Sequence, residues 1–352
     1  MRIKVTDLRE FFKRSSKIRS NGVLPIHDYL KIDFSREAVV ITKSVSFAFC
    51  RHEIESESND IETILVEEKR LSALVNSAEG EYITFEIKKD KILLSDSINE
   101  VSLKAENVEG FSKQPKQGDN ETYILSESVI SALFQAKSFI YVMQLDNNYG
   151  HVYCSNVGED SYIFSTNGQA LYLKKLTEKL PAFSLNPVAC ETLAPYETLV
   201  YYTAENYNCF DSGKTLFGFA KSEMKAPNFS PVVNNIDREK GITVNKDDLL
   251  KFTSLVNSFS FKVPIISIEP GEGSLALRYN EVDYQVDAQR DIEAVMNFSP
   301  EVFHWNTQFL EPVLKCFSTE KVTLHPGGPL YAVENPEEEG LTIGLIKVKY
   351  NN

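Results

Sequence analysis

Short apolar openings, each followed at once by a segment with apolar residues three and four apart, recur at Val5, Val66, Leu125, Leu185, Val244 and Trp305. The steps between them are 61, 59, 60, 59 and 61 residues. A fixed period marks repeated structural units that bury a face against one another. Six near-equal units, taken in pairs, predict three domains of one plan. Boundaries fall in the polar, turn-rich stretches 113–120 and 234–241, giving domains 1–117, 118–238 and 239–352.

The first unit sets the pattern for the rest. Thr6 is the expected cap of a helix whose apolar stripe is Leu8, Phe11 and Phe12. Arg9, Lys13 and Lys17 follow one another at i+4 on the opposite side, with Arg14 beside them. After Leu24-Pro25-Ile26, alternating runs at 29–34, 38–42 and 45–49 read as strands of a meander with one buried face. A second helix follows Val66, with Leu71, Leu74 and Val75 inward and Lys69 and Arg70 near its start, and strands return at 82–87, 91–95 and 100–105. The order of helix, strands, helix, strands recurs twice. Its later helices carry Val129, Ile130, Leu133 and Phe134, then Val188 and Leu193 after Asn186-Pro187. In the last third they carry Leu249, Phe252 and Val256, then Phe309, Leu310, Val313, Leu314 and Phe317, where Pro312 implies a late start or a kink. The class is α+β, with two amphipathic helices packed on antiparallel sheets in each domain.

Composition narrows the setting. No apolar run approaches the ~20 residues of a membrane helix, and the first residues hold no signal-peptide core. Five cysteines without a CxxC pair fit a reducing compartment, so the expected location is cytoplasmic, and the Asn-x-Ser/Thr triplets at Asn120, Asn228 and Asn297 are chance matches. A net charge of −13 opposes a nucleic-acid partner overall. A basic face confined to one side of an acidic protein would still draw DNA to that side and repel it elsewhere.

Catalytic chemistry finds little support. Gly213-Lys214-Thr215 ends like a phosphate-binding loop, but the glycine needed at 208 is Asn208, and the segment reads as a strand turn. Cys50-Arg51-His52 and the run His151 to Cys154 lie in strand-like stretches, where alternate side chains face opposite ways and no second pair completes a metal set. The acidic run 337–339 reads as a solvated loop, and no nucleophile, base and orienting group stand together. No metal or cofactor is expected.

The sixfold period, with Leu24-Pro25-Ile26 and three further segments in order, resembles the bacterial sliding clamp family, the beta subunit of DNA polymerase III. The run Phe164 to Leu173, Phe-Ser-Thr-Asn-Gly-Gln-Ala-Leu-Tyr-Leu, is similar to the family's Thr-Asp-Gly-His-Arg-Leu segment. Ala226-Pro227-Asn228-Phe229 is close to Phe-Pro-Asp-Tyr, and the run Ile346 to Tyr350 stands where the family has Met-Pro-Met-Arg-Leu. The likeness spans essentially the whole chain. It implies a head-to-tail homodimer whose three clamp domains per chain form half of a closed ring around double-stranded DNA, held by topology and by weak, sequence-independent phosphate contacts.

By that resemblance Arg9, Lys13, Arg14, Lys17 and Arg19 face DNA, joined by Lys69, Arg70, Lys137, Lys246, Lys251 and Lys315. The fourth helix, with no Lys or Arg between Asn186 and Tyr196, makes the inner charge uneven. A cleft for short peptides of the polymerase catalytic subunit and the clamp loader would use Thr166, Gly168, Ala170 and Leu171, then Pro227, Phe229 and Val232, then Ile346 and Val348. Gln169-Ala170 replaces the family's His-Arg, and Lys347 replaces its proline. The implied function is a non-catalytic processivity factor. A specialised clamp for a non-replicative polymerase, and an enzyme on repeated α+β domains with an interdomain active site, are the alternatives.

Overall fold

The six openings all lie at the same kind of joint. In the computed structural model, which describes residues 1–348 apart from 21, 23, 36, 56–61, 90, 116–119, 142–147 and 261, each sits where a short strand passes directly into a helix. The helices concerned are α1 (Val5–Ser15), α2 (Glu68–Ser77), α3 (Glu127–Ala136) and α4 (Pro187–Leu193), then α6 (Lys246–Phe259) and α7 (Thr307–Lys315); α5 (Ser230–Val233) is a single turn in the connector before α6. All six opening residues are buried, Val66, Leu125, Leu185 and Trp305 to within 1% of completely. An apolar residue at a strand-to-helix corner packs against both elements, and that shared duty is what produces the period.

Contacts divide the chain into two compact units. Unit 1 comprises Met1–Ile130 with Val188–Ser222, and unit 2 comprises Ser131–Pro187 with Glu223–Asn352.

Unit 1 holds an eight-stranded antiparallel sheet in the order Glu62–Glu67, Tyr29–Phe34, Ala38–Val45, Ala48–Glu55, Thr215–Ala220, Tyr207–Asp211, Leu199–Ala204 and Tyr123–Leu125. Its central joint pairs Phe49 with Gly218 and His52 with Thr215. A four-stranded sheet in the same unit orders Arg2–Lys4, Tyr82–Lys88, Lys91–Ser95 and Glu100–Lys104. Leu8 and Phe11 of α1 and Leu71 and Val75 of α2 are essentially inaccessible.

Unit 2 holds a twelve-stranded sheet. Its first half runs Phe183–Leu185, Val152–Val157, Asp160–Thr166, Ala170–Lys175, Leu341–Ile346 and Leu330–Glu334. The second half runs Lys321–Gly327, Ile242–Asn245, Val286–Met296, Ser274–Glu281, Ile265–Pro270 and Phe303–Asn306. Ala170–Lys175 pairs with Leu341–Ile346, which carries the end of the chain to the turn at residues 167–169.

Several local expectations change. Thr6 lies inside α1, whose N-cap is Lys4 without a side-chain cap; the strand before it leads straight in, and the Val5 N–H is taken by the Glu81 carbonyl at 2.9 Å. The expected strand at 38–42 runs on to Val45, and the one expected at 45–49 straddles the turn at Ser46-Phe47 that leads into Ala48–Glu55. Phe134 is 44% exposed, off the apolar stripe assigned to it. Pro312 neither delays nor ends α7: Asn306 caps the helix at the Gln308 N–H, 2.9 Å away, and the carbonyl that proline leaves without a donor belongs to exposed Gln308.

Candidate functional site

Two surfaces gather the residues singled out by sequence, one in each unit. In unit 1, α1 buries Leu8 and Phe11, so Arg9, Lys13 and Lys17 project outward. Arg9 donates to the Val75 and Ala78 carbonyls at 3.2 and 3.3 Å, placing a cation at the negative end of α2. Arg14 is braced by Glu10, Nε to Oε1 at 2.8 Å, and its guanidinium lies 5.1 Å from the Tyr196 ring centroid while donating to the Tyr196 hydroxyl at 2.5 Å. The hydrogen bond from Arg14 holds the Glu10 carboxyl below its usual range.

Lys17 faces Glu191 at 3.2 Å, and Arg19 donates to the Ser16 carbonyl at 3.4 Å. Lys13 and Lys69 are exposed and make no ion pair among the described residues, whereas Arg70 pairs with Glu67 at 2.6 Å. Between α1 and α4 runs a groove of about 620 Å³ whose walls include Lys13, Arg14, Lys17, Glu191, Pro195 and Tyr196.

The other four candidate cations lie in unit 2, in different settings. Lys137 sits over the Phe134 ring at 4.7 Å. Lys246 turns inward to the Phe317 carbonyl at 2.9 Å. Lys315 pairs with Glu311 at 2.6 Å, and the hydrogen bond from Lys315 is the main cause of the lowered Glu311 pKa. Lys251 is exposed.

The second surface is an apolar cleft of about 200 Å³ in unit 2. One wall is the turn joining Asp160–Thr166 to Ala170–Lys175, and its sequence explains its shape. The Thr166 hydroxyl donates to the Ala170 carbonyl at 2.7 Å and accepts the Gly168 N–H at 3.1 Å. Asn167 Oδ1 accepts the N–H groups of Gln169 and Ala170 at 2.9 and 2.8 Å, and Gly168 takes φ +83°, which favours glycine. The opposite wall is the connector. Asn228 Oδ1 accepts the Ser230 N–H at 3.1 Å, and Phe229 packs on Phe164, ring centroids 4.7 Å apart, within a cluster that includes Tyr153, Leu171 and Leu173. A bidentate Arg238–Glu334 pair, 3.0 and 2.7 Å, ties the connector to the strand Leu330–Glu334.

Thr166, Gly168, Ala170, Leu171, Pro227, Phe229, Val232 and Ile346 all line this cleft. Val348 does not; its N–H is bonded to the His304 carbonyl at 2.9 Å, leading the chain away, and Lys349 and Tyr350 lie outside the described residues. Sequence reasoning missed Tyr149, Phe164, Leu330 and Gly344 as lining residues. Phe164 opens the quoted motif and was within reach, but Leu330 arrives only through strand pairing with Ile346. Among the described residues no Lys, Arg, His, Asp or Glu lines the cleft, and Lys347 stands 5.4 Å from the Tyr331 ring centroid. What the site can do is bury apolar side chains of an extended or helical segment, steered by backbone groups at its rim.

A third depression, about 240 Å³ in unit 1, gathers charged groups including Arg2, Asp7, Glu10, His52, Glu53 and Lys214. Burial depresses the His52 pKa, and its Nδ1 is engaged with Thr215 Oγ1 at 2.8 Å. Burial pushes the Cys50 thiol up to about 12, leaving it protonated and unreactive. Among the described residues no group of His, Cys, Asp and Glu comes together to hold a metal ion. No helix there is long and apolar enough to cross a membrane.

No protein-family model matches the chain, and no curated protein sequence matches it. Solved structures do. The DNA polymerase III subunit beta of Pseudomonas aeruginosa superposes with a TM-score of 0.90 at 13% identity, covering 99% of this chain and 100% of that one. The beta subunit from the DNA polymerase of Streptococcus pyogenes gives 0.88 at 15% identity, with 99% of each chain covered. A sliding clamp of Bartonella birtlesii, solved bound to griselimycin, gives 0.89 at 14% identity over 99% of each. The chain has the α+β fold of the DNA polymerase III beta sliding clamps from end to end.

Proposed function

From a sliding-clamp fold that runs the length of the chain, we propose that two copies close head to tail into a ring around double-stranded DNA. The ring tethers a DNA polymerase to its template as a non-catalytic processivity factor in the cytoplasm. Three clamp domains, 1–117, 118–238 and 239–352, make up each half. Two strand edges open among the described residues support closure: Glu100–Lys104 ends the four-stranded sheet, and residues 286–293 pair on one side only. Such edges invite strand pairing with a second chain. Short apolar peptide segments of the polymerase catalytic subunit and of the clamp loader dock in the unit 2 cleft.

The observation that carries this reading is the coincidence of that fold with a cleft already formed by segments nearly two hundred residues apart, from Phe164 to Ile346. No cofactor is needed. The test is retention on DNA. Light scattering across a dilution series should give about twice the 39.9 kDa chain mass, and loaded protein should stay on circular DNA yet run off the same DNA once it is cut. A monomer at every concentration, or equal retention on both forms, would refute the ring.

A further inference from the structure

Holding a duplex needs a positively charged face, and the helices of the two units differ in their balance of charge. Along the outward side of α1 and the segment after it stand Arg9, Lys13, Arg14, Lys17 and Arg19, with Glu10 and Glu191 as the nearby carboxylates. They border a groove whose other wall, α4, supplies Pro195 and Tyr196 just beyond its end. Arg14 is bonded to both Glu10 and Tyr196, while Lys13 and, on α2, Lys69 are exposed and make no ion pair among the described residues.

Unit 2 offers almost nothing comparable. The exposed stripe of α6 reads Asp247, Lys251, Leu255, Ser258, one charge of each sign. On α7 the Lys315 ammonium is neutralised by Glu311, and Lys246 is spent on the Phe317 carbonyl. The end of α3 presents Phe134 beneath Lys137.

Resting on the clamp reading above, we infer that duplex DNA is held through unit 1 alone: phosphates lie along the groove between α1 and α4, and the helix faces of unit 2 give the duplex an electrically neutral surface. The duplex keeps freedom to slide, because contacts to phosphate alone read no bases.

Matched triple variants test this, since each removes three positive charges and shifts the net charge equally. Lys13→Gln/Lys17→Gln/Lys69→Gln alters unit 1, and Lys137→Gln/Lys251→Gln/Lys315→Gln alters unit 2. Fluorescence anisotropy of a short labelled duplex is followed over a KCl series, with circular dichroism confirming the fold of each variant. Each phosphate neutralised contributes about 0.9 to the slope of log K against log salt, so the unit 1 variant should lose about two to three from that slope. The unit 2 variant should lose less than about one. Equal losses, a larger loss in unit 2, or unchanged slopes in both variants would overturn the inference while leaving the clamp intact. Failure of the unaltered protein to bind the duplex at low salt would also overturn the inference, whereas the clamp reading stands or falls on retention on circular against cut DNA.

Discussion

Gly218 is the position where a single methyl group should do most harm. It faces Phe49 across the joint between Thr215–Ala220 and Ala48–Glu55, and a Cβ there would lie 2.0 Å from Phe49 Cε1, 2.4 Å from Cζ and 2.7 Å from Cδ1. Carbon contacts are comfortable at about 3.5–4.0 Å, so the ring must retreat by roughly 1.5 Å. It has nowhere to go. Phe49 is 2% exposed and packed with Tyr202, Ala204 and Cys209, with the Tyr207 ring 5.2 Å away.

Overpacking of this kind costs about 1–3 kcal/mol, and so close an approach puts Gly218→Ala at the upper end. Phe49→Ala alone leaves a cavity and costs about 3–5 kcal/mol. Combined, the two changes relieve each other, and the double variant should be more stable than the sum predicts by about 1–3 kcal/mol. Urea unfolding followed by circular dichroism, at fixed protein concentration because association also stabilises, gives all four corners of the cycle. Strict additivity, or a Gly218→Ala midpoint equal to that of the unaltered protein, would show that the ring and the glycine are not coupled as described.

Other outcomes follow from the cleft and from titration. Ile346→Asp should abolish binding of an apolar polymerase-derived peptide in isothermal titration, whereas Val348→Asp should leave it nearly intact, because only the first lines the cleft; the reverse order would misplace the site. Gly168→Ala meets no atom within 4 Å, so its cost is the left-handed backbone itself, about 1–2 kcal/mol, read as a lowered melting temperature with weakened peptide binding. Because no formally charged side chain among the described residues lines the cleft, peptide affinity should hold steady as KCl is raised; a steep fall would reveal an ion pair. His52 has a depressed pKa in the folded state, so below its ordinary value of 6.5 the unfolded chain takes up more protons. Stability should therefore decline as pH falls through that point, and His52→Gln should flatten the decline.

The repeat was readable because each opening residue serves a strand and a helix together, a demand strong enough to survive in a single sequence. Val66, Leu125 and Trp305 are buried for that reason. Eight of the nine cleft residues implied by the resemblance line one cleft, and turn chemistry accounts for one wall of it, where Thr166, Asn167 and Gly168 use their own side chains and backbone. Long-range partners left no such mark. Leu330 reaches the cleft by pairing with Ile346, and Val348 leaves it by bonding to His304. Charge was readable as composition but not as availability. Lys13 and Lys246 look alike in a string of letters, yet one ends in solvent and the other on a carbonyl.

The turn at Thr166 to Ala170 satisfies its polar groups through bonds within the turn itself. A wall already in its working shape asks an incoming segment for no ordering of the host, so arrival should be limited by encounter rather than by rearrangement. Residence time then depends on how much apolar surface each visitor buries. Successive visitors with small differences in their anchoring side chains would take turns at one mouth in an order set by their departure rates.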